Sequence, residues 1–220
     1  MSEAILRTED AWLTYEGVRR VTAVRAVNLT VAAGEFVSVA GPSGSGKSSL
    51  LFLLAGLRRA TRGRVLFRGV DWPQSGKEAA ELRRVNLGLV FSNPFLLPYL
   101  TVRENALVQA EPGTGEGRVV DLAGLLDIGD VLDELPARLS SGQAQRASVL
   151  RAMVNRPALI LADEPTAHLD HESGFRVIRA LRGGATGCTL VLASHDPEVL
   201  TMADRTVRLQ DGALVSDADG

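Results

Sequence analysis

The segment from Gly41 to Ser48 reads Gly-Pro-Ser-Gly-Ser-Gly-Lys-Ser, and it lies between two apolar runs at 35–40 and 49–55. This spacing predicts a strand, a tight phosphate-binding loop and a helix. Glycines let successive backbone N–H groups point inward at phosphate oxygens, and the amino end of the helix adds its positive dipole. Lys47 can reach the β- and γ-phosphates, and the Ser48 hydroxyl can bind Mg²⁺. The sequence therefore predicts a nucleoside triphosphate site, with contacts from Gly41, Pro42, Ser43, Gly44, Ser45, Gly46, Lys47, Ser48 and Ser49.

Charge and composition are typical of an α/β globular domain. The 220 residues carry 24 Lys and Arg against 26 Asp and Glu, which gives no support to broad electrostatic binding of nucleic acid or of an anionic membrane. No apolar run is long enough to cross a bilayer, and the first ten residues lack the pattern of a secretory signal. The single cysteine, Cys188, precedes an apolar run and predicts a buried structural thiol. We therefore expect a cytosolic protein.

The order of strand and helix patterns predicts an α/β domain interrupted by a helical insertion. Strands are predicted at 5–7, 11–15, 24–31, 35–40, 64–68, 87–91, 158–162, 189–193 and 206–209. Helices are predicted at 49–55, 76–84, 101–108, 119–126, near 131, from 141 to before Pro157, at 171–181 and at 197–202. The core would comprise 1–91 and 156–220, and the helical part 92–155. The tail 216–220 is expected to fray, and Arg146 and Arg151 are expected to form ordinary ion pairs.

Two acids follow the apolar run 158–162, namely Asp163 and Glu164. Neighbouring carboxylates at the end of a buried strand repel each other, so the arrangement is unfavourable unless a cation and a reacting phosphate lie beside it. Asp163 would then hold Mg²⁺ directly or through its waters. Glu164 would orient the attacking water or accept its proton.

Several motifs together resemble those of the ATP-binding cassette (ABC) ATPases. The segment Leu139-Ser-Ser-Gly-Gln-Ala-Gln-Arg146 resembles the signature motif, and Asp163-Glu-Pro-Thr-Ala-His-Leu-Asp170 resembles the acidic strand followed by the D-loop. His195 matches the switch histidine, and Tyr15 falls where the family places an aromatic ring that stacks on adenine. The resemblance covers essentially the whole chain. It implies a RecA-like P-loop NTPase core with an N-terminal antiparallel β-subdomain and an inserted α-helical subdomain.

The resemblance also implies a homodimer that forms on ATP. The signature segment precedes a helix, so Ser140 Oγ and the N–H groups that follow can face an anion. In the family that anion is the γ-phosphate held by the opposite subunit, and two copies enclose two ATP molecules head to tail. The residues implied to contact this nucleotide are Ser140, Ser141, Gly142, Gln143 and Asp170. The implied catalytic residues are Lys47, Glu164 and His195.

Three residues depart from the family pattern. Ser141 stands where glycine is usual, and His168 is an uncommon choice in the D-loop. Ser92 replaces a glutamine that normally contacts Mg²⁺ or the attacking water, and its side chain is too short to substitute directly. Asn93 carries the right amide one position later, so a local shift of the chain would be needed for it to take this role. These changes bear on turnover and coupling and not on nucleotide binding.

The segment 91–105 resembles that of one subgroup of the family. This subgroup comprises the ATPases of lipoprotein release and macrolide export and the cell-division ATPase that partners a septal membrane protein. The resemblance implies an integral membrane permease as the partner, with the chain peripheral on the inner, cytoplasmic face of the membrane and not inserted in it. The docking patch would consist of Phe95, Leu96, Leu97, Tyr99 and Leu100. Internal packing of the helical part is the alternative explanation of this patch.

The sequence therefore predicts an ATPase subunit that powers a separate membrane protein, with ATP and Mg²⁺ as its ligands. Two other functions remain open. One is a clamp that uses ATP to regulate a membrane-bound enzyme. The other is a slow or inactive nucleotide-gated scaffold, which Ser92 and Ser141 favour.

Overall fold

The computed structural model describes residues 3–111, 113–167, 169–183 and 188–219. It divides into two compact units. The first unit comprises residues 1–83 and 189–220, and the second comprises residues 84–188. Each unit is described below by itself.

The first unit contains an antiparallel sheet built around one long strand. Its strands are β1 (Ala4–Tyr15), β2 (Val21–Val27), β3 (Thr30–Ala32), β5 (Arg62–Phe67) and β6 (Val70–Asp71). They are ordered β2-β1-β5-β6, and β3 pairs with β1 beside them. This sheet is the N-terminal antiparallel part that the family resemblance implied.

Strand β1 is continuous where the sequence predicts two strands with a break between them. The register shifts where β1 pairs with β2 and with β5, and Asp10 has a φ of 44°. A bulge of this kind adds a residue and reverses the inside–outside alternation without ending the strand. The alternation at 8–10 therefore resembles a break, and the prediction of two strands was wrong.

A second sheet of the first unit carries the phosphate-loop segment. Its strands in this unit are β4 (Phe36–Ala40), β9 (Thr189–Ala193), β10 (Arg205–Gln210) and β11 (Ala213–Asp219), in the order β11-β10-β4-β9. Strand β4 runs parallel to both β9 and β10. All five residues of β4 and all five of β9 are buried, as expected for parallel strands covered on both faces. The helices of this unit are α1 (Lys47–Leu54), most of α2 (Gly76–Asn86) and α7 (Pro197–Leu200).

The carboxyl-terminal segment is a strand, so the prediction that the tail frays was wrong for residues 216–219. Strand β11 pairs antiparallel with β10 from Ala213 to Asp219. Arg205 fixes this pairing, because its guanidinium donates to both oxygens of Asp217, at 3.1 and 2.9 Å, and to Glu35 Oε1 at 2.7 Å. Gly220 lies outside the described residues.

The second unit pairs two parallel strands with four helices. The strands are β7 (Leu87–Val90) and β8 (Leu159–Asp163). The helices are α3 (Val102–Leu107), α4 (Glu116–Leu125), α5 (Ser141–Met153) and α6 (His171–Gly183), with short 3₁₀ turns at 129–131 and 136–138. Within the described part of 92–155 every regular element is helical, as the sequence predicts. Gly88 permits close packing of β7, because a Cβ there would lie 2.4 Å from the Ala152 carbonyl oxygen of α5.

The described elements thus have the α/β class that the sequence predicts, with an antiparallel sheet and a set of parallel strands. Within the described ranges, none of the helices combines the length and the hydropathy that a bilayer span requires.

Candidate functional site

The loop after β4 holds three glycines whose backbone no other residue adopts easily. Their φ values are 152° at Gly41, 80° at Gly44 and 105° at Gly46. A Cβ on Gly41 would lie 2.3 Å from the Leu209 carbonyl oxygen, and one on Gly46 would lie 2.2 Å from the Ala23 carbonyl oxygen. The loop is therefore held against β10 and β2, and glycine is required by packing at two positions and by conformation at the third.

Helix α1 begins inside this loop with an unshielded amino end. Its N-cap is Gly46, which offers no side-chain cap, and the first turn holds no acidic residue. The first N–H groups of a helix need partners from outside, and the helix dipole makes them attractive to anions. The local structure is thus suited to bind phosphate where the sequence predicts it.

Lys47 places its ammonium group over the loop. Nζ donates to the Gly41 carbonyl oxygen at 2.7 Å and to the Pro42 carbonyl oxygen at 3.1 Å. The chain contains 22 arginines but only two lysines, Lys47 and Lys77. An ammonium is a compact charge on a flexible stem, which suits a phosphate approached from a tight loop.

Tyr15 lies at the end of β1 and is linked to helix α1. Its hydroxyl donates to Ser49 Oγ at 3.4 Å, and Ser49 belongs to the first turn of α1. The guanidinium carbon of Arg58 lies 5.6 Å from the centroid of the Tyr15 ring. The structure therefore places Tyr15, the residue predicted to stack on adenine, beside the helix that starts at the phosphate loop.

His195 follows β9, the strand parallel to β4 on one side. Because both strands end at the same edge of the sheet, His195 and the phosphate loop share that edge. Ser194 is buried, its hydroxyl accepts from the Asp196 N–H at 3.1 Å, and Asp196 caps helix α7. These bonds fix the backbone on either side of His195, whose side chain is exposed.

In the second unit, the two predicted acids lie at the end of strand β8 and directly after it. All five of its residues are buried, including Asp163 at its end, which is 8% exposed. Glu164 follows with a φ of 47°, in the left-handed region that a glutamate seldom adopts. Such a conformation costs about 1–3 kcal/mol and is found mainly where a side chain must be aimed for function.

The signature segment forms a helix start with a reciprocal side-chain cap. Ser140 is the N-cap of α5, its Oγ accepts from the Gln143 N–H at 3.2 Å, and Gln143 Oε1 accepts from the Ser140 N–H at 2.9 Å. The N–H groups of Ser141 and Gly142 take no part in this cap and remain at the amino end of the helix. The pattern serine, two residues, glutamine is a capping-box signal from which this reciprocal cap could have been predicted.

Gln145, which was not among the predicted site residues, joins α5 to the end of β7. It is 1% exposed, and its Nε2 donates to the Phe91 carbonyl oxygen at 3.1 Å. Ser92, the residue in place of the usual glutamine, directly follows Phe91 and is exposed. No local pattern marks Gln145, because its partner lies 54 positions away.

Two polar side chains, the buried Asn105 and the half-buried Arg151, shape the loop 92–100. Asn105 accepts from the Leu97 N–H at 2.7 Å and donates to the Leu97, Leu100 and Thr101 carbonyl oxygens. Arg151 donates to the Phe95 carbonyl oxygen at 2.7 Å and to that of Pro94 at 2.8 Å. The prediction of an ion pair was therefore wrong for Arg151, whose burial lowers its pKa, whereas Arg146 does pair with Asp127 at 3.6 Å.

The predicted docking patch is partly exposed. Phe95 is 63% exposed and Tyr99 is 71% exposed, whereas the three leucines of the patch are half-buried. Phe95 has a φ of 46°, and its ring meets Phe91 edge to face with centroids 5.7 Å apart. The loop thus presents two aromatic rings on a backbone that Asn105 and Arg151 hold in place.

Asp170 caps the start of α6. Its carboxylate accepts from the Ser173 N–H at 3.0 Å, and this hydrogen bond, followed by one from the Ser173 side chain, lowers the pKa of Asp170. His168, the unusual D-loop residue, lies outside the described residues. The structure thus places the phosphate loop, Tyr15 and His195 in the first unit, and the acids, the signature segment and Asp170 in the second.

Comparisons with known proteins agree with these motifs. Residues 24–167 match the family model described as ABC transporter. A macrolide export ATP-binding/permease protein of Nitrosomonas europaea is 42% identical over 205 residues, which cover 90% of this chain and 31% of that protein. The chain therefore spans about a third of the length of this relative. An uncharacterized ABC transporter ATP-binding protein of Thermotoga maritima is 38% identical, with 96% of this chain and 93% of that protein covered.

Two solved structures show the same fold. A dimeric ATP-binding cassette in a post-hydrolysis state bound to ADP and phosphate has a TM-score of 0.90 at 31% identity, with 97% of this chain and 98% of that chain covered. A dimeric bacterial ABC transporter cassette has a TM-score of 0.90 at 30% identity over the same shares.

Proposed function

This chain belongs to the ABC transporter family as an ATP-binding cassette of the ATPase type, and from that premise we propose that it powers a separate membrane-spanning partner. The observation that carries the proposal is the phosphate loop. Its glycines have the required conformations, α1 begins without a cap, and Lys47 lies over the loop carbonyls. The three features together create a positive, donor-rich cradle for a triphosphate.

We assign the nucleotide contacts of the first unit by position. The N–H groups from Gly44 to Ser49 and the Lys47 ammonium bind the phosphates, and Tyr15 stacks on the adenine. When phosphate arrives, it replaces the Gly41 and Pro42 carbonyls as the partner of Lys47. A charge-assisted bond to phosphate is stronger than a bond to a neutral carbonyl, so the exchange favours binding.

The donors needed for Mg²⁺ are hard oxygens, and the chain offers Ser48 on α1 and Asp163 at the end of β8. Asp163 is almost fully buried at the end of its strand. Bound Mg²⁺ would neutralise charge on the phosphates. Ser92 stands where the family places a further ligand, and its exposed hydroxyl is short for that task.

For the chemistry we assign Glu164 as the residue that orients and deprotonates the attacking water. Its left-handed backbone aims the carboxylate in a direction that the strand alone would not give. His195 acts as the hydrogen-bonding partner of the γ-phosphate from the edge that it shares with the loop. Lys47 stabilises the charge that develops on the phosphate.

We propose a head-to-tail homodimer in which Ser140, Ser141, Gly142 and Gln143 of one copy face the nucleotide of the other, with Asp170 near the same interface. The two similar structures are dimeric, which supports this assembly. The first turn of α5 supplies two N–H groups that the cap does not use. Ser140 Oγ accepts within the cap, and its proton remains available to donate to phosphate.

We further propose that the partner is an integral membrane permease that docks on the patch of Phe95, Leu96, Leu97, Tyr99 and Leu100, with Phe95 and Tyr99 providing the contact area. The macrolide export relative carries an ATP-binding part and a permease in one protein, which supports such a partner. The chain would then act at the inner face of the membrane. A slow nucleotide-gated scaffold is the second candidate, favoured by Ser92 and Ser141.

The decisive test is ATP binding by Lys47→Ala, with Lys77→Ala as the matched control. Lys77 is the other lysine of the chain and lies exposed at the start of α2. Isothermal titration with ATP and Mg²⁺ should show a loss of several kcal/mol for Lys47→Ala and none for Lys77→Ala. Equal ATP affinities of the two variants would refute the assignment of this loop as the phosphate-binding site.

Glu164→Gln separates the scaffold from the ATPase. Hydrolysis should fall by about two to four orders of magnitude while ATP binding persists. The variant should run as a dimer with ATP and as a monomer without it on a sizing column, and adding Ser140→Arg should keep it monomeric. If wild type and Glu164→Gln hydrolyse ATP equally slowly, the scaffold is the better explanation.

A further inference from the structure

Tyr15 is held from two directions, by a residue in the first turn of helix α1 and by a residue that follows the helix. Its hydroxyl reaches Ser49 Oγ in the first turn, and its ring is covered by Arg58, which follows the helix. A hydroxyl bond alone would leave the ring free to rotate about its long axis. The guanidinium over the ring restricts that rotation.

Arg58 has no counter-ion in the part of the chain that the structure describes. Its neighbour Arg59 bonds to Gln74, and Arg64 bonds to Glu9 at 2.7 Å, whereas the contact of Arg58 is the Tyr15 ring. The side chain is exposed, so the charge itself is hydrated. A cation on one face of an aromatic ring draws electron density toward it and leaves the opposite face better suited to stack on an electron-rich base.

We propose that Arg58 is a positioning residue for the nucleotide base: it fixes and polarises the Tyr15 ring, and so strengthens the binding of the adenine without touching the phosphates. This inference rests on the proposed assignment of Tyr15 as the base platform. The base would use the face of the ring opposite Arg58. The consequence is selectivity for nucleotides whose base stacks well.

The chain offers a matched control for this arrangement. Arg62 lies over the Trp12 ring at 5.8 Å, a distance similar to that of Arg58 from Tyr15, and it also pairs with Asp10 at 3.0 Å. Trp12 is not a predicted nucleotide contact. Arg62→Ala therefore removes an exposed charge, a cation–π contact of similar distance and a surface ion pair, and it leaves the contact of Arg58 with Tyr15 in place.

The experiment measures ATP and tripolyphosphate binding by titration calorimetry on the full chain. Arg58→Ala should weaken ATP binding about two- to fivefold and leave tripolyphosphate unchanged, since an exposed cation–π contact is modest. Arg58→Lys should recover most of the loss and Arg58→Gln little. Arg62→Ala should match wild type. In steady-state assays the KM for ATP should rise while kcat stays constant.

A double-mutant cycle tests whether Arg58 acts through the ring. Once Tyr15→Ala has removed the platform, adding Arg58→Ala should cost nothing further. An equal loss in both backgrounds, or an equal loss for tripolyphosphate, would mean that Arg58 attracts the phosphates by its charge and would overturn the inference. Tighter ATP binding by Arg58→Ala would show that the arginine blocks the base, and this result would overturn the inference as well. Unchanged ATP binding by Lys47→Ala would instead refute the proposed nucleotide site itself.

Discussion

Two glycines of the phosphate loop allow a sharp test of how the loop is built. Gly44 and Gly46 both have positive φ, at 80° and 105°. A Cβ on Gly46 would lie 2.2 Å from the Ala23 carbonyl oxygen of β2, whereas a Cβ on Gly44 would meet nothing within 4 Å. Substitution of Gly46 therefore combines a conformational cost with a steric one, whereas substitution of Gly44 carries the conformational cost alone.

The expected magnitudes follow from that difference. A non-glycine residue in the left-handed region costs about 1–2 kcal/mol, which is the loss of unfolding free energy expected for Gly44→Ala. Gly46→Ala adds an overlap with backbone that only a shift of roughly 1 Å can relieve, and overpacking of this kind costs about 1–3 kcal/mol more. We therefore expect a total loss of about 2–5 kcal/mol for Gly46→Ala.

The assay is denaturant unfolding followed by circular dichroism. Gly34→Ala is the matched control, because Gly34 has a φ of 81° with open space around it and lies outside the phosphate loop. Gly34→Ala and Gly44→Ala should lose similar stability. If Gly46→Ala loses no more than these two, the loop is not pinned against β2 as described.

Three further predictions concern the second unit. Glu164→Gly should be more stable than Glu164→Ala by about 1 kcal/mol in denaturant unfolding, because glycine accepts the φ of 47° without strain; equal stabilities would contradict that strain. Ser92→Gln should raise steady-state ATP hydrolysis roughly five- to thirtyfold by restoring a contact of about 1–2 kcal/mol; if instead Asn93→Ala abolishes hydrolysis and Ser92→Gln does little, Asn93 fills that role. Burial raises the pKa of Cys188 to about 11, so its labelling by a disulfide reagent at pH 8 should be about two hundredfold slower than in the unfolded chain. The raised pKa stabilises the fold below the unfolded pKa of about 8.5, and this contribution declines as the pH rises toward 11.

Local patterns predicted the features whose cause is local. The phosphate loop, the buried strands β4, β8 and β9 and the capping box at Thr101 depend on residues within one or two turns of each other. Their conformational needs are visible as glycine, as unbroken apolar runs and as paired caps. The elements that carry the candidate site residues are of this kind, which explains why their secondary structure could be predicted from the sequence.

Features that depend on distant partners could not be predicted. The tail forms strand β11, in which Asp217 accepts a hydrogen bond from Arg205. Arg151 donates to backbone carbonyl oxygens 56 and 57 positions away. Gln145 reaches Phe91 across 54 positions. In each case the residue type is common on surfaces, and only the fold shows that the side chain has a buried or structural partner.

The two helix ends assigned to phosphate differ in a way that fits the two halves of the proposed cycle. Helix α1 begins at Gly46 without a side-chain cap, so its N–H groups lack an internal substitute for the anion and favour a nucleotide that stays bound. Helix α5 begins with the reciprocal cap of Ser140 and Gln143, so two of the N–H donors at its start are already satisfied in the single chain. A phosphate presented by a second copy therefore gains only the N–H groups of Ser141 and Gly142 and the Ser140 proton. Under the proposed assignments, weak phosphate binding at α5 and strong phosphate binding at α1 would let each chain keep its nucleotide while the dimer separates after the γ-phosphate has been cleaved.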